Sequence, residues 1–366
     1  MSGTTGERWP RRRFLANGAA LLAVGGGSPT QGESGEPRGK TTSLLHPLTS
    51  SLRKDSIQVA RAERSRPLRL VTNWYAEAEH GGFYQALATG IYADYGLQVE
   101  IRMGGAAVNV LQLLAGGAAD FVLGSSPDAL AALQAGIPLV TVAAFFQKDP
   151  QCLLAHPGVG IERLEDLRGK PIWVSPGANL TYWPFLRAKF GFSDEQKRPY
   201  NLSLTPFLLD KYSAQQGYVT AEPFRVRQEG GFDPVVFLLA DYGYSPYATT
   251  LETTRRFAED HPEQVQKFVA ASIQGWHSYL EDPRPGNRLI RQDNPNMSEA
   301  LLAYSRQALK DYGILTSGDA ATLGIGAMTH QRWQTYFQEM VALGTAEANL
   351  DVRQAYTLDF LPNRSA

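Results

Sequence analysis

Five short stretches between Asn73 and Glu222 carry side chains suited to holding a small polar molecule. Asn73-Trp74 sets an amide that both donates and accepts beside a large stacking ring. His80-Gly81-Gly82 places a titratable ring before two glycines, and Gly124-Ser125-Ser126 puts hydroxyls at the amino end of an expected helix. The loop ending in Gly177-Ala178-Asn179 is suited to an anion or a carbonyl, and equally to plain helix capping. Glu222 can accept from an exocyclic amine, or simply favour the first turn of a helix through its charge. His80, likewise, can do no more than cap. No nucleophile–base pair accompanies these residues, and the G-x-S-x-G, H-E-x-x-H and G-x-x-x-x-G-K-[ST] patterns are all absent. The chemistry on offer is recognition of a small ring or anion.

The elements that must position these groups follow from periodicity and glycine punctuation. Residues 68–72 are a short apolar strand, 83–91 a helix, 97–101 a strand, 108–114 a helix and 120–123 a third strand. This β-α-β-α-β order implies parallel pairing, with ligands meeting the carboxyl ends of the strands. A helix over 129–135 and a strand over 139–146 follow. Residues 151–155 form a strand leading into a second lobe, with a strand over 171–174 and a helix over 180–190. Residues 202–208 read as strand-like, 218–220 as a short strand, and 235–240 as the return. Beyond Thr254 the chain reads as helical: 262–280, 298–312 and one long helix over 317–343. Trp276, Tyr279, Tyr304, Trp333, Tyr336 and Phe337 fall at helical spacing and read as core aromatics.

The chain has 366 residues, 43% hydrophobic and 19% charged, with a formal net charge of −1. That is enough for two domains, and the near-neutral balance gives no electrostatic basis for nucleic-acid binding. The single cysteine, Cys152, excludes an intramolecular disulfide and any multi-cysteine metal site, and its apolar surroundings read as core. No cofactor and no metal is implied. Arg11-Arg12-Arg13-Phe14-Leu15 followed by a short apolar run reads as a twin-arginine export signal over residues 1–27, with Pro10 and Ala16 departing from the usual pattern. No cysteine follows that run, so a lipid anchor is not expected. Residues 28–65 read as a linker.

The run from Leu68 to Ser126 resembles the periplasmic solute-binding proteins of the sulfonate/nitrate/thiamine-precursor class, and within it the branch similar to thiamine pyrimidine synthases. The resemblance rests on Asn73-Trp74, on His80 at its offset, and on the F-x-x-A-x-x-x-G-I-Y-x-x-x-G-L-x-V-x-I pattern that begins at Phe83. It continues through Leu164 to Lys170, Gly217 to Pro223 and residues 257–271, and covers about residues 66–345. It implies a two-lobe α/β fold of the type II periplasmic-binding-protein kind, each lobe a mostly parallel sheet flanked by helices, with helices at the carboxyl end. Lobe 1 would comprise residues 66–153 and 241–350, and lobe 2 residues 154–240, with two crossings as a hinge. The implied role is a monomeric periplasmic component that hands a small heteroaromatic nutrient, a thiamine pyrimidine precursor before others, to the permease subunits of an ABC transporter. Asn73, Trp74, His80, Ser125, Ser126, Asn179 and Glu222 would line its cleft. A sulfonate or nitrate binder is one alternative. A synthase is another, but the family's cofactor lysine falls on Gly124, its substrate histidine on Asp128, and its cysteine motif near residues 241–247, where there is no cysteine. Glycine cannot form a Schiff base.

Replacing Arg11 and Arg12 with lysine is expected to strand the precursor in the cytoplasm. Fractionation of cells making the double variant checks this, and undiminished export would refute the twin-arginine reading.

Overall fold

The computed structural model describes residues 66–362; the expected signal and linker lie outside them. The first sheet is built from β1 (Leu68–Val71), β2 (Val99–Arg102), β3 (Phe121–Ser125), β4 (Leu139–Phe146) and β10 (Ala248–Thr254), in the order β2-β1-β3-β10-β4. The second contains β5 (Gln151–Ala155), β6 (Ile172–Val174), β7 (Lys197–Pro199), β8 (Ala214–Tyr218) and β9 (Val235–Leu238), in the order β7-β6-β8-β5-β9. The expected parallel unit is present, since β1 pairs parallel with both β2 and β3. β10 enters antiparallel between β3 and β4, and β5 does the same between β8 and β9, so both sheets are mixed.

Burial explains why these runs are strands. All eight residues of β4 and all five of β5 are buried, which requires cover on both faces of each sheet. In β5, Cys152 and Leu154 face the large core while Leu153 and Ala155 face a smaller one inside the second sheet. The edge strand β2 alternates between half-buried and exposed, as one-sided burial demands. The free edge of β4 is covered by the carboxyl-terminal segment: Thr141 N–H donates to Ala355 O, and Thr357 N–H to Thr141 O, both at 2.9 Å.

The helices are α1 (Gly81–Ala88), α2 (Ile91–Asp94), α3 (Val110–Ala115), α4 (Ser126–Gln134), α5 (Trp183–Phe190), α6 (Thr205–Leu209), α7 (Glu222–Gly230), α8 (Arg255–Asp260), α9 (Pro262–Glu281), α10 (Arg284–Asp293), α11 (Glu299–Asp311), α12 (Ala320–Leu323) and α13 (His330–Ala342). α9 buries Val265, Phe268, Val269, Ser272, Trp276 and Tyr279 along one stripe. α1 lies against that stripe so closely that a Cβ on Gly82 would come within 2.2 Å of the Trp276 ring, and one on Gly81 within 2.3 Å of Tyr279. The glycine pair is therefore a packing device. Of the expected core aromatics, Tyr304 alone is only half-buried; its hydroxyl donates to Val219 O at 3.0 Å.

Four readings are corrected. Residues 202–208 are not strand-like but lead into α6, because Pro206 has no N–H for a sheet ladder and fits the first helical turn. The helix expected over 180–190 starts only at Trp183, where Pro184 again takes a first-turn position. The long helix over 317–343 is broken between α12 and α13 by Gly324 and Gly326 at φ of 90° and 92°. The strand expected over 218–220 is instead Ala214–Tyr218.

Two crossings, residues 147–150 and 239–247, join the sheets, and Arg332 on α13 holds both. Its guanidinium donates to Gln147 Oε1 at 3.1 Å and to Gln147 O in the first crossing, and to Ser245 O (3.4 Å) and Pro246 O (3.3 Å) in the second. It also lies over the Tyr247 ring at 4.2 Å. A charged hydrogen bond contributes about 1.5–3 kcal/mol. Arg332→Met is therefore expected to lower unfolding free energy in urea by about 2–4 kcal/mol, with Arg332→Lys recovering only part. A loss under about 0.5 kcal/mol in Arg332→Met would mean that the crossings do not depend on it.

Candidate ligand-binding cleft

The turn after β1 of the first sheet meets the residues after β8 of the second, where Thr220 Oγ1 donates to Glu79 Oε1. The turn after β1 is shaped by Thr72, whose hydroxyl donates to Trp74 O at 2.6 Å and accepts from Gly104 N–H at 2.9 Å. This leaves Asn73 exposed and Trp74 half-buried, edge-on to Tyr75 with ring centroids 5.3 Å apart. His80 is buried behind them and donates no cap to α1. Its Nε2–H instead donates to Asn73 Oδ1 at 3.1 Å, so the outward face of the Asn73 amide is its two N–H donors. Burial lowers the His80 pKa to about 3, which keeps the ring neutral and fixes this orientation.

The other expected site residues divide. Ser125 caps α4: its Oγ accepts from Asp128 N–H and donates to Asp128 Oδ2 at 2.6 Å. Ser126 is 1% exposed and exchanges two bonds with the Tyr247 backbone, its N–H to Tyr247 O (2.9 Å) and Tyr247 N–H to its Oγ (3.1 Å). That engagement ties the end of β3 to the second crossing and takes Ser126 out of ligand reach. Asn179 is exposed beside β6, its amide donating to Pro176 O and accepting from Lys197 Nζ. Glu222 at the start of α7 accepts from Tyr218 N–H at 2.7 Å through Oε2 and meets Arg225 at 3.7 Å through Oε1.

Acidic residues outside the sequence motifs stand near these strand ends. Glu77 and Glu79 flank Ala78 in the turn after β1, Asp128 starts α4, and Asp149 sits in the first crossing. Glu79 crosses to the second sheet, with Thr220 Oγ1 donating to its Oε1, while its Oε2 has no partner. Tyr218, four residues before Glu222, feels the charges of Asp149, Glu77, Glu79 and Asp128. Burial, reinforced by Glu79 and Glu222, pushes the Glu77 carboxyl well above the usual range. Burial likewise lifts Asp149 to about 6, Glu79 to about 7, and Asp128 and Glu222 upward. The alternating Glu77 and Glu79, and the Tyr218–Glu222 spacing, were the sequence signals available for this cluster. Among the described residues no group of three or more His, Cys, Asp and Glu is set to hold a metal.

Below the end of β3, a Cβ on Gly124 would come within 2.5 Å of the Glu252 carboxylate of β10. Glu252 is fully buried, bonds Thr250 Oγ1 at 2.9 Å, and is pushed well up by burial. The Gly124 site is filled from the neighbouring strand.

Two five-stranded mixed sheets joined by two crossings have the architecture of the periplasmic-binding-protein fold. The periplasmic aliphatic sulphonate binding protein of Escherichia coli aligns with a TM-score of 0.61 at 14% identity, covering 79% of this chain and 91% of that one. The pattern of the NMT1/THI5-like family matches residues 77–285, and the chain belongs to that family. A riboflavin-binding protein of Chloroflexus aurantiacus is 28% identical over 306 residues, 81% of this chain and 86% of that protein. A formylaminopyrimidine-binding protein of Halalkalibacterium halodurans is 24% identical over 243 residues, 64% and 73% of the two chains. A 4-amino-5-hydroxymethyl-2-methylpyrimidine phosphate synthase of Legionella pneumophila is 20% identical over 303 residues, 80% of this chain and 92% of that protein.

The pH dependence of stability tests the buried acid. Glu79 binds its proton more tightly folded than unfolded, so its contribution is full below about 4.5 and is lost as pH rises through about 7. His80 acts oppositely: its contribution is present above about 6.5 and is lost as pH falls toward about 3. Glu79→Gln is expected to gain on the wild type between pH 4.5 and about 7 and to level off above that, at about 1.4 kcal/mol for each tenfold in proton affinity. Parallel stability curves for the two proteins would refute the assignment.

Proposed function

We propose that the protein is the exported solute-binding component of an ABC import system, holding a small nitrogen heteroaromatic nutrient between its sheets for delivery to a membrane permease. The observation that carries this reading is the recognition set at the facing strand ends: Trp74 after β1, Tyr218 closing β8, and the Asn73 amide aimed outward by neutral His80. Trp74 and Tyr218 offer ring faces, Asn73 N–H donors meet a ring nitrogen or carbonyl, and Glu222 accepts from an exocyclic amine. Thiamine pyrimidine precursors are the first candidates, with flavins beside them; the binding proteins named among the relatives support both. In this reading the protein acts as a monomer and is exported by the twin-arginine route.

What speaks against a synthase is position 124, where glycine offers pyridoxal phosphate no Schiff-base amine and a Cβ would meet the Glu252 carboxylate at 2.5 Å. Cys152 is fully buried, its thiol donating to Gly217 O at 3.1 Å. Less favoured is a sulfonate or nitrate, because the guanidinium of Arg332 is engaged by backbone carbonyls.

A thermal-shift screen of aminopyrimidines, flavins, sulfonates and oxyanions identifies the class, followed by calorimetry on variants. Trp74→Ala is expected to weaken the best hit by more than about tenfold, combining lost stacking with lost apolar contact. Glu222→Gln keeps an oxygen for Tyr218 N–H, so it should weaken an amine-bearing ligand while leaving the fold intact. A stabilising shift from sulfonates alone, or an unchanged affinity in Trp74→Ala, would overturn the reading.

A further inference from the structure

Gln216 lies on β8 two residues before Tyr218, so the two side chains stand on one face of the strand. Ser175 N–H donates to its Oε1 at 2.5 Å, and the Tyr182 hydroxyl donates to the same atom at 2.9 Å. A backbone N–H can only donate, so the atom it meets is the amide oxygen, and the orientation of the amide is settled. Among the described residues nothing accepts from Nε2, and the side chain is half-buried and not enclosed. Two N–H donors are therefore held in place and left open to solvent.

The position of this amide follows from the sheet. Ser175 is the first residue after β6, and β6 pairs parallel with β8, so Gln216 is tied to the carboxyl ends of both strands. Four residues further on, Thr220 meets Glu79 in the turn after β1, the turn that also carries Asn73. Asn73 is built in the same way, its oxygen taken by His80 and its N–H pair turned outward. Each sheet thus presents one amide whose oxygen is occupied and whose donors are free.

We propose that Gln216 is a ligand-binding residue of the second sheet, and that its donors act with those of Asn73 to select a ring bearing carbonyls, a dione of the pyrimidine, pteridine or flavin type. The proposal rests on the reading of the protein as a binder of heteroaromatic solutes and deepens it by choosing between its candidate classes. A dione offers acceptors on its edges to both amides and a face to Tyr218 or Trp74. Exocyclic amines in the same places would set donor against donor and leave N–H groups unpaired once water is expelled, the mismatch that a hydrogen-bonding site rejects most strongly. Glu222, bonded to Tyr218 N–H and close to Arg225, is not left unserved by a ligand without an amine.

The test uses lumazine, a pteridine dione, and the diaminopteridine in which amines replace both carbonyls, titrated calorimetrically at a pH where both rings are uncharged. Lumazine is expected to bind the wild type at least about tenfold more tightly than the diamine. Gln216→Glu keeps an oxygen for Ser175 and Tyr182 but turns the outward donors into an acceptor; its folding is checked by circular dichroism. It should weaken lumazine by at least about tenfold and leave the diamine unweakened. A Gln216 that merely supports the fold would lower both affinities alike or neither, and either result overturns the proposal. The wild-type pair decides even if the variant does not fold, since a diamine bound as tightly as lumazine overturns it as well. So does silence of both rings at about millimolar concentration. If another heteroaromatic then binds in the wider screen, the dione assignment falls and the heteroaromatic reading stands; silence there too removes both.

Discussion

The two sheets are organised around one guanidinium. Arg332 reaches from α13 to carbonyls in both crossings and stacks on Tyr247, so the segments able to bend between the sheets are fixed at one point to the helical carboxyl-terminal region. Tyr247 then passes the constraint to the cleft floor through its paired backbone bonds with Ser126. The crossing residues that Arg332 does not bond, 148–150 and 239–244, lie on the second-sheet side of this point. The geometry of β3, and of the residues it presents, stays anchored.

Desolvation does the remaining work at the site. A histidine buried enough to be neutral can orient an asparagine without adding charge, and His80 does this for Asn73. Burial raises the proton affinity of these carboxyls, and local donors hold four of them: Gln151 N–H for Asp149, Tyr218 N–H with Arg225 for Glu222, Ser125 Oγ for Asp128, Thr220 Oγ1 for Glu79. These donors fix their positions and do not satisfy them all. Such groups retain free energy that a suitable ligand can release.

What the sequence made legible follows from how local each feature is. Continuous apolar runs at 139–146 and 151–155 could only be strands buried on both faces, and the stripe along α9 announced itself by period. β10 was not legible, because its threonines surround a glutamate that looks solvent-bound until its carboxyl is seen filling the space beside Gly124. Ring and amide chemistry at Asn73-Trp74 could be read from composition. The roles of His80 and Ser126 could not, since the partner of Ser126 lies more than a hundred residues away and the state of His80 depends on burial. The acidic character of the cleft was hidden for the same reason, its members coming from segments that meet only after folding.

The segment laid along β4 has a consequence beyond packing. A strand whose N–H and C=O groups are already taken offers nothing for another chain to pair with. By bracketing Thr141 with Ala355 and Thr357, and by stacking Tyr356 on Trp333 at 4.8 Å, residues 355–357 cover the edge of β4 at that point. At Thr141 this segment thereby occupies the backbone groups through which a further strand would add to the sheet.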